Sequence, residues 1–110
     1  MAGLDPATQP GAPFRRMAAY VYIMSNKRYG TIYVGVTSDL ARRVWEHREG
    51  VIPGFTRDHG LHQLVWYEVH DAIITAIQRE HNIKHWPRRW KTALVDAMNP
   101  AWEDLYEQLM

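Results

Sequence analysis

The chain has 110 residues, 46% of them hydrophobic and 23% charged, a composition that fits one globular domain with one hydrophobic core. The absence of cysteine excludes a disulfide framework, a thiolate zinc site and a cysteine nucleophile, and it agrees with the cytoplasmic location that we expect. The formal net charge is only +1, and no stretch approaches the roughly 20 apolar residues that span a bilayer. Any site for a polyanion must therefore be local, and we expect no membrane association.

The N-terminal region predicts a tail followed by a β-hairpin. Residues 1–17 carry three prolines and little periodicity, which predicts a flexible tail before a single domain that spans residues 18–110. Residues 18–24 and 31–36 are rich in Tyr, Val and Ile, and turn residues lie between them. This pattern is typical of two antiparallel strands joined by a short turn.

Helices and one further strand follow the hairpin. Thr37, Ser38 and Asp39 offer N-cap oxygens for a helix that ends near residue 48, and a polar loop is expected at residues 54–60. A third strand is predicted at residues 61–69, and then a helix capped by Asp71 that ends at residue 84. Pro87 and Pro100 predict one helix over residues 87–99 and a short amphipathic helix from residue 100 to the end. The predicted order is β-β-α-β-α-α-α.

The helix that ends at residue 84 places a carboxylate in its apolar stripe. The stripe consists of Ile73, Ala76, Ile77 and Ile83. Helical spacing puts Glu80 among these residues, and an unpaired buried carboxylate costs several kcal/mol. Glu80 is therefore expected to meet a cation, a metal ion or several hydrogen-bond donors. The alternative is that it lies at the edge of the stripe and pairs with Lys84.

The first helix repeats this pattern with positive charge. Leu40 and Val44 mark its buried stripe, and Arg43 and His47 lie four residues apart on one face. A guanidinium group suits phosphate oxygens, and a histidine can donate to phosphate or transfer a proton near neutral pH. The alternative is a histidine satisfied within the core and an arginine on the surface.

Local clusters of positive charge are the candidate contacts to nucleic acid. They comprise Lys27, Arg28, Arg42, Arg57, Arg88, Arg89 and Lys91. Residues 86–91 also interleave tryptophan with cations, as surfaces that stack bases and follow phosphates do. The alternative, which the apolar spacing of Trp90, Ala93 and Leu94 favours, places Trp90 in the core and the arginines in water.

A zinc site offers a competing interpretation of the same region. His81 and His85 lie four residues apart on a helix beside Glu80, a spacing that can bind zinc. The order differs from an HExxH arrangement, and no third ligand is obvious.

Two tripeptides and a set of polar residues carry a family resemblance. The tripeptides are Tyr20-Val21-Tyr22 and Tyr33-Val34-Gly35, followed in order by Arg43, His47, Glu80 and Asn99. With these residues the chain from about 18 to 109 resembles the GIY-YIG nuclease domain, particularly small stand-alone bacterial members related to the incision domain of the bacterial excinuclease. The first tripeptide departs from the family pattern, because Tyr20 stands where the family has glycine. Tyr20 is therefore expected in ordinary extended geometry.

The resemblance implies a fold, an activity and a set of site residues. It implies an α+β fold with a three-stranded antiparallel sheet flanked by helices, and a metal-dependent endonuclease that hydrolyses DNA phosphodiester bonds. DNA repair, or processing of branched, damaged or single-stranded DNA, is the expected role. The alternative is a nucleic-acid-binding repair accessory module with little or no catalytic activity. The implied catalytic residues are Tyr22, Tyr33, Arg43, His47, Glu80 and Asn99.

The roles of these residues also follow from the resemblance. Glu80 would hold one hydrated Mg²⁺ or Mn²⁺, and Arg43 would neutralise charge on the phosphate. His47 and one or both tyrosines would orient or deprotonate water, while Asn99 would position the phosphate or support another residue of the site. A tyrosine is a poor base at neutral pH unless nearby cations favour its phenolate, and Arg43 and the metal ion are the candidates.

Overall fold

The computed structural model describes residues 18–110, so the tail expected at residues 1–17 lies outside the described residues. Within them the elements are β1 (Ala19–Ser25), β2 (Ile32–Thr37), α1 (Leu40–Glu49), α2 (Phe55–Asp58), β3 (Gln63–His70), α3 (Ile73–Lys84), α4 (Arg88–Met98) and a 3₁₀ helix (Tyr106–Leu109). The strands form an antiparallel sheet in the order β2-β1-β3. The predicted α+β fold is confirmed. No helix among residues 18–110 is long and apolar enough to cross a membrane.

The central strand β1 divides the core into two layers. Alternating side chains of a strand point to opposite faces of a sheet. Val21 and Ile23 therefore pack with residues of α3 and α4, while Tyr22 and Met24 pack with residues of α1. All four side chains are almost fully buried, and burial of each stabilises the fold by roughly 1.5–3 kcal/mol. The Tyr22 face of the sheet, covered by α1, is the face that carries the candidate site.

Local signals fix both ends of α1. The Asp39 side chain accepts a hydrogen bond from the backbone N–H of Arg42 at 3.2 Å, which is the predicted N-cap. At the other end, Gly50 adopts φ 68°, a left-handed conformation in which glycine carries no penalty. Leu40 and Val44 are buried as expected, so α1 holds its polar residues in a fixed orientation above the sheet.

Several boundaries differ from the sequence prediction. Residues 55–58 form the short helix α2 instead of loop, and α3 begins after Ala72 with no side-chain cap, so the predicted Asp71 cap is wrong. The helix predicted from residue 100 is also wrong, because a 3₁₀ helix forms only at Tyr106–Leu109. Trp102 adopts φ 55°, which ends helical geometry and lets its buried indole N–H donate to Asp96 at 2.8 Å.

The apolar stripe predicted for α3 is only partly buried. Ala76 and Ile83 are fully buried, whereas Ile73 and Ile77 are 48% and 47% exposed. Helix α3 contacts the sheet through a narrow face, and the sequence period does not show how wide that face is.

The outer edge of β3 is covered by the C-terminal segment. The ladder between β1 and β3 shifts by one residue, which leaves Val65 without a partner in β1. The side-chain amide of Asn99 donates to the Val65 carbonyl at 3.0 Å. The adjacent Leu64 donates its N–H to Asp104 at 3.1 Å and accepts from the Leu105 N–H at 2.8 Å. Backbone groups at the bulge are therefore satisfied by residues far along the chain.

Candidate active site

Three buried side chains form a continuous hydrogen-bonded chain beneath α1. The Tyr22 hydroxyl lies 2.9 Å from His47 Nε2, and His47 Nδ1 lies 3.0 Å from the Thr56 hydroxyl. Tyr22 comes from β1, His47 from α1 and Thr56 from α2. Since all three residues are buried, this chain is held rigidly and away from bulk water. Thr56 was not predicted as a site residue, because its segment was expected to be loop.

Gly35 makes room for the Tyr22 ring. The two residues pair across β1 and β2, and a Cβ atom on Gly35 would lie within 2.8 Å of Cζ, Cε1 and Oη of Tyr22. The phenol ring therefore lies directly on the backbone of β2, which only a residue without a side chain permits. This contact explains the glycine of the second tripeptide, which the sequence identified only as part of a motif.

Burial sets the protonation states of Tyr22 and His47. Burial raises the pKa of Tyr22 well above its ordinary value, and the nearby Tyr33 and Glu80 act in the same direction. Arg43 opposes this shift through its charge and a hydrogen bond, but burial outweighs it. The expected influence of Arg43, which favours the Tyr22 phenolate, is therefore present but smaller than that of burial. Burial lowers the pKa of His47, with the Arg43 charge in support, so the imidazole is neutral at pH 7.

Tyr33 and Glu80 adjoin this chain through Lys84. The Tyr33 ring centroid lies 5.7 Å from that of His47 and 6.4 Å from that of Tyr22. Lys84 Nζ lies 5.6 Å from the Tyr33 ring centroid and 2.7 Å from the Glu80 carboxylate. The pairing of Glu80 with Lys84, which the sequence analysis left open, is therefore present. Lys84 itself is an addition to the site, because its place beside Tyr33 depends on how α3 crosses the sheet.

Arg43 lies at the exposed side of the site. Its Nε contacts Glu46 at 3.2 Å, and its side chain remains 42% exposed. Glu46 also pairs with Arg42 at 3.2 Å, so one carboxylate is shared between two guanidinium groups. Arg43 can therefore reach both the Tyr22 hydroxyl and an incoming anion.

Asn99 is not brought to this cluster. Its amide nitrogen donates to the carbonyls of Val65 and Glu103, at 3.0 Å and 2.8 Å, and its amide oxygen accepts from the Glu103 N–H at 3.1 Å. Both amide hydrogens are thereby used, one on β3 and one in the turn after α4. The structure gathers Tyr22, Tyr33, Arg43, His47 and Glu80, and it gives Asn99 contacts to backbone.

The candidate nucleic-acid contacts differ in their exposure and in their hydrogen bonds to the protein. Six of the seven are exposed, namely Lys27, Arg28, Arg42, Arg57, Arg88 and Arg89. Arg88 also donates to the carbonyls of Tyr29 and Gly30, at 2.8 Å and 2.7 Å, and ties α4 to the hairpin turn. Lys91 donates to the Lys84 carbonyl at 3.1 Å.

The histidine pair on α3 does not gather a metal cluster. The rings of His81 and His85 lie 4.5 Å apart, and no group of three or more His, Cys, Asp or Glu side chains able to hold an ion occurs within residues 18–110. A tetrahedral zinc site needs three or four protein ligands.

Comparison with known proteins identifies the family. Residues 18–93 match the family model of the GIY-YIG catalytic domain. The chain belongs to the GIY-YIG family. A UPF0213 protein of Haloquadratum walsbyi is 39% identical over 77 residues, which cover 70% of this chain and 85% of that protein. Another, of Halalkalibacterium halodurans, is 34% identical over 88 residues, 80% of this chain and 93% of that one.

A solved structure agrees with this assignment. The solution NMR structure of a UPF0213 protein from Bacillus halodurans matches with a TM-score of 0.51 and 33% identity, over 80% of this chain and 93% of that chain. Membership of the GIY-YIG family implies an endonuclease-type function and a DNA substrate. In this GIY-YIG protein Tyr20, at the position where the family has glycine, lies in β1 and pairs with Thr37 as an ordinary extended residue.

The GIY-YIG site fits one hydrated divalent cation. Glu80 offers hard oxygen ligands on a side chain that is 15% exposed, and its partner Lys84 binds through a single ion pair. Mg²⁺ commonly keeps several water ligands and needs only one or two carboxylates together with substrate phosphate. A single carboxylate therefore suffices for such an ion.

Proposed function

We propose that this GIY-YIG protein is a divalent-metal-dependent endonuclease that hydrolyses DNA phosphodiester bonds in repair or in processing of branched, damaged or single-stranded DNA. The observation that carries the proposal is the buried chain of Tyr22, His47 and Thr56. A buried, neutral histidine that contacts a protonated tyrosine is arranged to transfer a proton, which phosphodiester hydrolysis requires. The contacts of Arg43 and Glu80 place charge beside that chain.

The hydrogen-bonded series of Tyr22, His47 and Thr56 supplies the path for the proton of the attacking water. With Nδ1–H of His47 donating to Thr56, Nε2 is the acceptor that faces the Tyr22 hydroxyl. Tyr22 takes a proton from water as it passes its own proton to His47, so no phenolate accumulates and its raised pKa is not an obstacle. The water oxygen forms the new bond to phosphorus, the bond to the leaving oxygen breaks, and that alkoxide takes a proton from solvent. His47 then returns the proton it received to solvent.

Positive charge meets the phosphate at two places. Arg43, partly exposed, binds a non-bridging oxygen through its planar fork. Glu80 is the residue that would hold the cation. A divalent cation bound there supplies positive charge that stabilises the charge developing on the phosphate and the leaving oxygen. Lys84 releases part of its pairing with Glu80 as the DNA binds, and its ammonium group then lies within reach of phosphate beside Tyr33.

The role of Glu80 is tested with a matched pair of carboxylate variants. Glu80→Gln removes the ligand, whereas Glu49→Gln removes an exposed carboxylate of α1 outside the site. Supercoiled, single-stranded and branched DNA are incubated at low salt with Mg²⁺, Mn²⁺ or EDTA. Cleavage by the unmodified protein and by Glu49→Gln, lost with EDTA and in Glu80→Gln, is the expected result. Binding of every DNA without cleavage would favour the accessory module.

The roles of Tyr22 and Tyr33 are distinguished by removing one hydroxyl group at a time. Tyr22→Phe removes the hydroxyl that contacts His47 and is expected to lower turnover by about 10²-fold or more. Tyr33→Phe keeps that chain intact and is expected to have the smaller effect. Equal turnover by both variants and the unmodified protein would remove tyrosine from the proton chemistry.

A further inference from the structure

One face of α4 forms an open apolar groove. It is lined by Trp86, Trp90, Ala93, Leu94 and Ala97 and has a volume of about 390 Å³. Trp90 is 51% exposed, so the expectation that it lies in the core is wrong. Helix α4 buries Val95 instead and leaves Trp90 half exposed, while Trp86 and Leu94 pack partly against the core. An exposed tryptophan beside further apolar side chains is a common property of binding surfaces.

The groove is rigid at its inner end. The rings of Trp86 and Trp90 meet edge to face, with centroids 6.0 Å apart at 74°. The Arg79 guanidinium lies 5.3 Å from the Trp86 ring centroid, and Arg79 is itself fixed by Glu68 at 3.1 Å. Trp86 is therefore held in place, and it supports Trp90 with half of that side chain still open.

A cation stands on each side of Trp90 in the sequence of α4. Arg89 and Lys91 adjoin Trp90 in sequence, so helical geometry turns each about 100° from it in opposite directions. Lys91 uses one N–H on the Lys84 carbonyl and keeps its charge and two further donors. The nearest acid along α4 is Asp96, which accepts from Tyr29 at 2.9 Å and from Trp102 at 2.8 Å. The groove itself is lined by apolar residues, and the cations Arg89 and Lys91 lie on α4 beside it.

The groove and the candidate active site lie on different faces of the sheet, and Lys84 links them. Lys84 ends α3 with its ammonium group at Glu80, and the same residue accepts the Lys91 hydrogen bond through its carbonyl. Trp86 follows Lys84 by two residues. Lys84 therefore contacts the site through its side chain and α4 through its backbone.

We propose that this groove binds unpaired nucleotides of the DNA substrate, with a base stacked on Trp90 and the adjoining phosphates bound by Arg89 and Lys91. The proposal rests on the proposed nuclease function and adds the structural class of its substrate. Stacking on tryptophan suits any base, while flanking cations suit the backbone of a single strand. A second copy of the chain fits less well, because a symmetric contact would bring the same cations together.

The test measures DNA binding in EDTA, where no cleavage interferes. The probes are a fluorescein-labelled oligodeoxythymidine and a duplex of the same length, followed by anisotropy. Trp90→Ala is compared with Trp45→Ala, which removes a tryptophan of similar exposure, 47%, from α1. Trp90→Ala is expected to weaken binding of the single strand about tenfold or more and binding of the duplex by less than about twofold. Trp90→Phe should retain most of the affinity, and Trp45→Ala all of it.

Several results would overturn the proposal. They are failure of the unmodified protein to bind the oligodeoxythymidine, an unchanged affinity in Trp90→Ala, and an equal loss for the duplex. A dimer that Trp90→Ala dissociates without loss of single-strand affinity would instead assign the groove to self-association. Cleavage that depends on Glu80, with no effect of Trp90 on binding, would reject the groove and leave the nuclease. Binding that depends on Trp90, without cleavage of any DNA, would support the groove and reject the nuclease.

Replacing Arg89 distinguishes phosphate contact from stacking. Arg89→Gln should lower the slope of log affinity against log salt by about 0.7, the value expected for one lost phosphate contact on a single strand. Trp90→Ala should weaken binding with little change in this slope. An Arg89→Gln slope equal to that of the unmodified protein would remove Arg89 from the interface.

Discussion

The contact between Gly35 and Tyr22 gives a stability prediction whose sign can be worked out. Gly35→Ala would place a methyl group within 2.8 Å of three atoms of a ring that is 1% exposed. Overpacking a dense core costs about 1–3 kcal/mol, and a ring fixed by a hydrogen bond to His47 has little freedom to move. Alanine is otherwise favoured over glycine in a strand by about 0.5–1 kcal/mol. We therefore expect a net destabilisation of about 1–2 kcal/mol.

The effect of Gly35→Ala on stability should change sign when leucine replaces Tyr22. Tyr22→Leu removes Cζ, Cε1 and Oη, the three atoms that the new methyl group would meet. In that background only the backbone effect remains, and Gly35→Ala should stabilise the protein by about 0.5 kcal/mol.

Urea denaturation of the four proteins of this double-mutant cycle measures both values. The effect of Gly35→Ala on the free energy of unfolding is measured once in the unmodified protein and once in the Tyr22→Leu variant, at constant pH and salt. If Gly35→Ala costs the same in both backgrounds, the penalty does not come from the Tyr22 ring, and the explanation given for Gly35 is wrong.

Three further predictions concern His47, Asn99 and Lys84. Burial lowers the pKa of His47, so the unfolded chain binds a proton first as pH falls below 6.5, and the free energy of unfolding should decrease there. Urea titrations at several pH values should show this decrease in the unmodified protein and lack the His47 part of it in His47→Gln. Asn99→Ala should lose about 2–3 kcal/mol of stability with turnover of the folded protein unchanged. Unchanged stability with reduced turnover would return Asn99 to the site. Lys84→Met should tighten Mn²⁺ binding at Glu80 about twofold by calorimetry, and unchanged binding would show that the ion pair does not compete.

Local patterns predicted most of the elements. The hairpin strands follow from their tyrosine and valine content, and α1 follows from the Asp39 cap and the spacing of Leu40 and Val44. These signals act between residues close in sequence, so they can be seen before the chain is folded. The motif residues around the two tripeptides likewise stand in order along the chain, which made the family visible.

Contacts between distant segments could not be predicted in the same way. Helical periodicity places Trp90, Ala93 and Leu94 on one face of α4, but it does not say whether another element covers that face. Here none of the described elements covers Trp90, and it remains half exposed.

The supporting residues of the site were missed for the same reason. Thr56 becomes relevant only when α2 packs beneath His47, and Lys84 only when α3 reaches Tyr33. Neither residue type carries a signal in the sequence that marks such a contact.

The covered edge of β3 bears on where this fold can be divided. The family match ends at residue 93, yet the backbone of Leu64 and Val65 is bound by Asn99, Asp104 and Leu105 beyond it. A fragment trimmed to the shared family region would expose these unpaired groups along a strand edge, which is a template for pairing between molecules. Such a fragment would tend to aggregate even though it contains Tyr22, Tyr33, Arg43, His47 and Glu80. Transplants or fusions of this nuclease domain should therefore carry the segment through residue 110.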